Sequence, residues 1–300
     1  MNAKNQTNKS DKENTSANDS AMRIAKRIAR AGLCSRREAE RFIASGRVSV
    51  NGKTIDSPAL NVTEKDKIIV DGKALPKVEP IKLWRFHKPK GVVTTNKDEQ
   101  NRPTLFDKLP KDMSPPNMPH LMTVGRLDIN TEGLILLTND GELARHLELP
   151  STGWLRRYKV RANGQITQDK FDALKKGITI DGIKYGPIEA QLIKSQGANC
   201  WFTMGLREGK NREIKRIAAH LGLNVNRLIR LSFGPFMLGD LKTAECELIK
   251  AHILADQLGP SLAEKFNLKP SSAQAKAKAK QQRGKSKPPR RRKPAPQRQK

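Results

Sequence analysis

The sequence predicts an α+β protein. A small α+β module at residues 22–80 precedes a larger unit at 81–250, of mostly antiparallel sheet with packed helices. A C-terminal extension at 251–300 becomes a disordered basic tail from 271. Three observations carry this reading. Strand candidates outnumber helix candidates after residue 81, and their connections are often too short for the crossovers that parallel strands need. Asn51-Gly52 and Asp71-Gly72 each follow a short β-branched run, the strongest local sign of a tight hairpin. Composition also breaks at both ends: residues 1–21 are polar and read as disordered, and residues 271–300 carry 12 basic groups and no acid.

Order is expected to begin near Met22. Ile24, Ile28 and Ala31 recur at helical spacing, and Gly32 offers a stop. Ser35-Arg36-Arg37-Glu38 has the capping-box pattern, so a second helix opens there with Ala39, Phe42 and Ile43 inward and Gly46 at its end. Val48–Val50 and Lys67–Val70 read as short strands entering their turns. Residues 71–82, with two prolines, read as a linker. In the larger unit the strand candidates are Lys82–His87, Leu134–Leu137, Arg157–Arg161, Trp201–Leu206 and Val225–Leu231. The helix candidates are Gly141–Glu148, Asp169–Lys176 and Arg212–Leu221. Asn96–His120, rich in proline and polar residues, reads as a long surface excursion.

Charge narrows the partners. The chain has 58 Lys and Arg against 30 Asp and Glu, a net +28, and both ordered-looking parts are basic: +6 over 22–80 and +10 over 81–270. Such a balance favours a polyanion, nucleic acid first and an anionic membrane surface second. No run approaches the ~18 apolar residues of a membrane span, and the N-terminus has no signal-peptide core, so a cytoplasmic chain is expected. Three dispersed cysteines and five scattered histidines argue against a disulfide scaffold or structural zinc. On the two N-terminal helices, Arg27, Arg30, Arg36, Arg37 and Arg41 crowd the polar faces with only Glu38 and Glu40 to pair them, which makes RNA contact the better reading of a basic face.

Two stretches of the larger unit could carry chemistry. Gly125–Gly133 (GRLDINTEG) leads straight into the apolar run LILLT. Its Asp128-x-Asn130-x-Glu132-Gly133 copies half of a calcium loop, but the twelfth position is Asn139 where a bidentate Glu is required. No metal is therefore expected. Asp128 is either a turn residue satisfying local donors or a carboxylate held rigidly by the strand that follows it. In the second stretch, Arg207–Ile217, Lys215 lies on the flank of a helical apolar stripe, where it either covers that edge or turns its amine toward a neighbouring site.

KPKG (Lys88–Gly91), GRLDINTEGLILLTNDG (Gly125–Gly141) and REGKNREIKRIAAHLG (Arg207–Gly222) occur in this order. They resemble the three signature blocks of the RsuA/RluB-type bacterial rRNA pseudouridine synthases. Residues 22–80 are similar to the RNA-binding domain named after ribosomal protein S-four, which that family carries at the same place. The resemblance covers about residues 22–250, and the basic tail is similar to that of the RluB branch. It implies a pseudouridine-synthase catalytic domain acting on a uridine, most simply in large-subunit rRNA, by base flipping and aspartate-dependent isomerisation. It also implies Asp128 as catalytic residue, Tyr158 as the aromatic packed on the uracil and Lys215 as the basic partner of the aspartate. Arg126 would be the arginine that enters the space left by the flipped base. Lysine at 215 departs from the arginine of most members: it loses bidentate hold on a carboxylate and keeps Coulombic support. No cofactor is implied, because the isomerisation has no redox change, hydrolysis or group donor. The implied setting is rRNA, with a pre-ribosomal particle around it, no membrane and a monomeric enzyme. The same enzyme acting on small-subunit rRNA, or a non-catalytic assembly protein, are the competing readings; an intact GRLD loop favours the enzyme over a simple binder.

Overall fold

The computed structural model describes residues 21–113, 118 and 120–271. The expectations of disorder at residues 1–21 and in the tail from 271 lie, Ala21 and Ser271 apart, outside the described residues. The described residues through Leu248 form one compact unit, and those from Ile249 form another. Among the described residues no helix is long and apolar enough to cross a membrane.

The first unit opens with α1 (Ile24–Arg30) and α2 (Arg36–Ala44). Ser35 caps α2 by accepting a hydrogen bond from the Glu38 N–H at 3.2 Å, as the capping-box pattern requires. A sheet of four short strands follows: β1 (Val48–Val50), β2 (Lys53–Ile55), β3 (Ile68–Val70) and β4 (Lys73–Ala74), in the order β2-β1-β3-β4. Both hairpins turn on left-handed pairs, Asn51-Gly52 and Asp71-Gly72. The second hairpin corrects the linker expectation: Asp71-Gly72 joins paired strands, so the connecting segment begins only after Ala74. Ile24, Ile28, Ala39, Ile43 and Val48 form the fully buried centre of this module.

The larger part is built on a nine-stranded sheet. Its main strands are β5 (Leu83–Lys88), β6 (Met122–Val124), β7 (Thr131–Thr138), β8 (Arg156–Asn163), β9 (Glu189–Gln196), β10 (Asn199–Leu206), β11 (Asn224–Phe233) and β12 (Cys246–Ile249). They run in the order β9-β10-β8-β11-β7-β5-β12, with β6 added on β7. The pairs β8–β10, β8–β11, β9–β10, β5–β7 and β6–β7 are antiparallel, whereas in β7 and β11 Thr131–Gly133 lie parallel to Leu228–Arg230. Every residue of β7 is buried, which is why its sequence reads as a continuous apolar run instead of alternating. The helices α3 (Gly141–Glu148), α4 (Gln168–Asp172) and α5 (Glu213–His220) connect or cover these strands.

Two further expectations are corrected. The helix expected at Asp169–Lys176 is α4 followed by a tighter 3-10 turn over Ala173–Lys176. The stretch after Asn96 is not wholly a surface excursion: Leu105 and Met113 are buried in the same apolar cluster as Phe86 and Ile135. Hydrophobic anchors hold the polar loop down, although residues 114–117 and 119 fall outside the described residues.

The module and the sheet domain meet through charge. Lys26 donates to Glu142 at the start of α3, and Arg30 lies 3.6 Å from the capping carboxylate Asp140. The scarcity of acids on α1 itself is thus offset by acids more than a hundred residues away. Within the second unit, α6 (Ala251–Leu258) and α7 (Pro260–Lys265) form a short helical pair, an order that the extension's composition did not suggest.

Candidate active site

The loop joining β6 to β7 is pinned from several directions. Lys88, fully buried at the end of β5, points its Nζ at the backbone carbonyls of Pro89 (3.1 Å), Asp128 (3.2 Å), Ile129 (3.4 Å) and Thr131 (3.0 Å). Burial pulls its pKa down to about 8, while the Asp128 and Glu132 carboxylates oppose the fall. Thr94 donates its hydroxyl to the Leu127 carbonyl at 2.8 Å and accepts the Leu127 N–H at 3.3 Å. The Gly125 N–H donates to Glu148 at 2.6 Å. Leu127 is itself buried and anchors the loop to the core. Asp128 is thereby held at the mouth of a buried strand with its backbone fixed and its carboxylate 40 % exposed.

Gly133 makes this placement feasible. At φ +100° a Cβ would stand 2.3 Å from the Arg230 carbonyl oxygen and 2.6 Å from its nitrogen, so only glycine lets β7 approach β11 this closely. Across that contact Glu132 accepts two hydrogen bonds from Arg227, at 3.0 and 2.9 Å. The residue that completes the half calcium loop therefore serves as an ion-pair partner. No cluster of three His, Cys, Asp or Glu able to hold a metal occurs among the described residues.

A cavity of about 540 Å³ opens beside the loop, and Asp128, Arg126, Tyr158 and Lys215 all line it. Lys215 reaches it from the first turn of α5, with Nζ 3.8 Å from Asp128 Oδ2. Such a contact is a point-charge pair without bidentate geometry. Tyr158 lies half-buried on β8, between Met204 of β10 and Arg230 of β11 in the strand register. Four residues dispersed over about 90 positions are thus brought to one cavity.

Two further lining residues were not picked out from the sequence. Arg156 and Arg230 are buried, and both guanidinium groups sit over the Phe233 ring, at 4.7 and 5.3 Å. Arg230 Nε donates to the Leu134 carbonyl at 2.6 Å, which ties β11 to β7 behind the cavity. Burial holds both arginines below their usual range, and the Tyr158 hydroxyl opposes that effect. A signal did exist: Leu228, Arg230 and Ser232 share the buried face of β11, so alternation alone points Arg230 inward. Glu213, at the first position of α5, is also buried; it accepts the Lys210 N–H at 2.9 Å, and burial first, then repulsion from Glu208, raises its pKa to about 7.

The five arginines of the N-terminal helices separate into two groups. Arg36, Arg37 and Arg41 are exposed on α2. Arg27 and Arg30 are half-buried; Arg30 faces Asp140, and Arg27 Nε and Nη1 are buried without a hydrogen-bond partner. The exposed basic face is therefore narrower than helical spacing alone suggests.

A pinned carboxylate facing lysine and tyrosine across a nucleotide-sized cavity, behind a basic module, defines an enzyme that acts on RNA. Comparison with known proteins gives the family. The RNA pseudouridylate synthase profile matches residues 82–220, and the S4 domain profile matches residues 22–68. An RNA pseudouridine synthase of Rickettsia conorii is 44% identical over 232 residues, covering 77% of this chain and 98% of its own. The ribosomal large subunit pseudouridine synthase B of Yersinia pestis is 41% identical over 224 residues, covering 72% of this chain and 68% of its own. A crystal structure of a pseudouridylate synthase superposes with a TM-score of 0.56 at 24% identity, covering 79% of this chain and all of its own, a likeness of fold. The chain belongs to the RNA pseudouridine synthase family, isomerases that act on RNA, and carries an S4 domain at its N-terminal end.

Proposed function

We propose that the protein converts a specific uridine of large-subunit ribosomal RNA to pseudouridine, with Asp128 as its catalytic carboxylate. The observation that carries the assignment is the Asp128–Lys215 pair at 3.8 Å in a cavity that also presents Tyr158. Identity of 41% to a relative named for the large ribosomal subunit supports the choice of RNA.

In this reading the target uridine leaves its stack to enter the cavity, because a paired base is out of reach of a protein carboxylate. Tyr158 stacks on the extruded uracil, a contact that typically contributes ~1–3 kcal/mol. Arg126, exposed at the rim, enters the gap in the RNA. The N1–C1′ bond breaks, the uracil turns, and a C5–C1′ bond forms; the proton lost from C5 balances the one gained at N1. Asp128 assists by capturing the sugar or by moving a proton, with Lys215 as its counter-charge. Every atom of the substrate is retained, so the reaction calls for no cofactor. The S4 domain and its exposed Arg36, Arg37 and Arg41 dock the surrounding rRNA, and the domains divide at residues 22–80 and 81–250. The enzyme works as a cytoplasmic monomer, on free rRNA or a pre-ribosomal particle.

The test is Asp128→Asn, which keeps the side chain's size and removes its charge. The variant is expected to bind an rRNA fragment within about threefold of wild type, since phosphate contacts dominate affinity. It should form no detectable pseudouridine at saturating enzyme. Appreciable turnover by the variant would refute the assignment.

A further inference from the structure

The Asp128 loop has a cavity on each of its sides. The second, about 580 Å³, is walled by residues 93–102, by Arg126–Ile129 and by the turn Gly209–Arg212 that precedes α5. Its lining differs in kind from the first. No aromatic side chain among the described residues lines it, so they offer no platform on which a base could stack. Five cations and three carboxylates line it, an excess of two positive charges.

Pairing sharpens that excess. Asp98 takes both hydrogen bonds of Arg102, at 3.1 and 2.7 Å, Glu208 takes Lys210 at 2.7 Å, and Asp128 faces Lys215. Lys97, Arg126 and Arg212 are left without a carboxylate partner among the described residues, against the single exposed carboxylate of Glu99. The walls are tied down: Thr94 holds Leu127 in both directions, and Asp98 accepts the N–H groups of Gln100 and Arg102 at 3.1 and 2.9 Å. Arg126, Asp128 and Arg212 line both cavities, so one strand can pass from the first to the second over the reacting residue.

Resting on the first cavity as the seat of the extruded uridine, we propose that the second cavity is a subsite for the sugar–phosphate backbone next to that uridine. Lys97 and Arg212 face its phosphate, while Arg126 stands at the junction of the two cavities. An extruded nucleotide remains bonded to phosphates on both sides, and each carries a negative charge that cations beside the loop can match. A cleft with unpaired cations and no stacking surface suits that backbone and gives no selection among neighbouring bases.

The test uses the full-length protein and the substitution Lys97→Gln, since the Lys97 side chain is exposed and lines only the second cavity. Binding is titrated on a set of rRNA fragments that each carry one neutral methylphosphonate linkage near the target uridine. K97Q should weaken binding of the unmodified fragment about threefold at low salt and flatten the log–log salt slope by roughly 0.7. Wild type should lose a similar factor at one flanking linkage, and K97Q should lose nothing more there. Wild-type affinity in K97Q, or additive losses at every linkage, would overturn the subsite. Because the readout is binding, wild type that makes no pseudouridine would remove the function reading separately, without deciding the cleft.

Discussion

Glu213 shows how a single carboxyl can be costly and retained. It is buried at the head of α5, held by one backbone N–H, and its pKa is raised to about 7 by burial and by Glu208. An unfolded chain gives up this proton near 4.5, the folded chain only near 7, so between those values the folded state binds more protons. Its contribution to stability therefore falls as pH rises through that window, by at most about 1.4 kcal/mol per pH unit, and the loss is complete above pH 7. Glu213→Gln keeps an acceptor for the Lys210 N–H and removes the titration. The variant should gain stability relative to wild type from pH 4.5 to 7 and hold that gain at pH 8. Urea midpoints of both proteins at pH 5 and pH 8 check this; a constant difference between them would assign the stability change to packing alone. Legibility at this scale was uneven. Asp128 stood out because GRLD precedes an apolar strand, whereas Glu213 and Arg156 look like ordinary charged residues until the tertiary fold buries them.

The β7–β11 contact is the element on which the candidate site depends. It brings the strand that carries the Asp128 loop against the strand that carries Arg230, in a parallel pairing. Gly133→Ala should be among the most damaging small substitutions in the chain. The added Cβ meets backbone at 2.3 Å, and φ +100° is a conformation that L residues rarely adopt. Strain and overpacking together predict a loss of about 3 kcal/mol or more, a large share of the 5–15 kcal/mol that a domain usually has. A thermal melt of the variant measures it; a change under 1 kcal/mol would mean that the two strands can separate without penalty. The sequence made the long strands legible, since β7 is an apolar run and β10 and β11 are rich in apolar residues. It hid the hairpin strand β9, Glu189–Gln196, whose residues are mostly exposed and polar. Pairing with β10 defines β9, and no local pattern reports that partner. The parallel β7–β11 pairing was hidden for the same reason, its partners lying almost a hundred residues apart.

For the whole molecule the decisive quantity is charge and where it is fixed. The two-part organisation was legible because turns, caps and proline mark it locally. The docking of α1 was not, because Lys26–Glu142 and Arg30–Asp140 join residues 110 or more positions apart. Those pairs consume cations that a helical-face reading assigns to RNA. The S4 domain therefore presents a narrower basic surface, and the 12 basic groups of residues 271–300, with no acid among them, weigh correspondingly more in RNA attraction. Charges that bind through phosphate neutralisation release counterions, each contacted phosphate of a single strand adding roughly 0.7 to the log–log salt slope. They also speed encounter with a polyanion, most strongly at low ionic strength. Deleting residues 271–300 should accordingly flatten the salt dependence of rRNA binding and lower the association rate at low salt. The single-turnover rate at saturating enzyme should stay within about twofold, because phosphate neutralisation adds affinity and encounter rate without adding a group to the chemical step. Stopped-flow association at two salt concentrations, beside a single-turnover assay, separates these effects. An unchanged salt slope would show that the tail's charges do not reach the RNA, and a fallen saturating rate would show that they act on the chemical step.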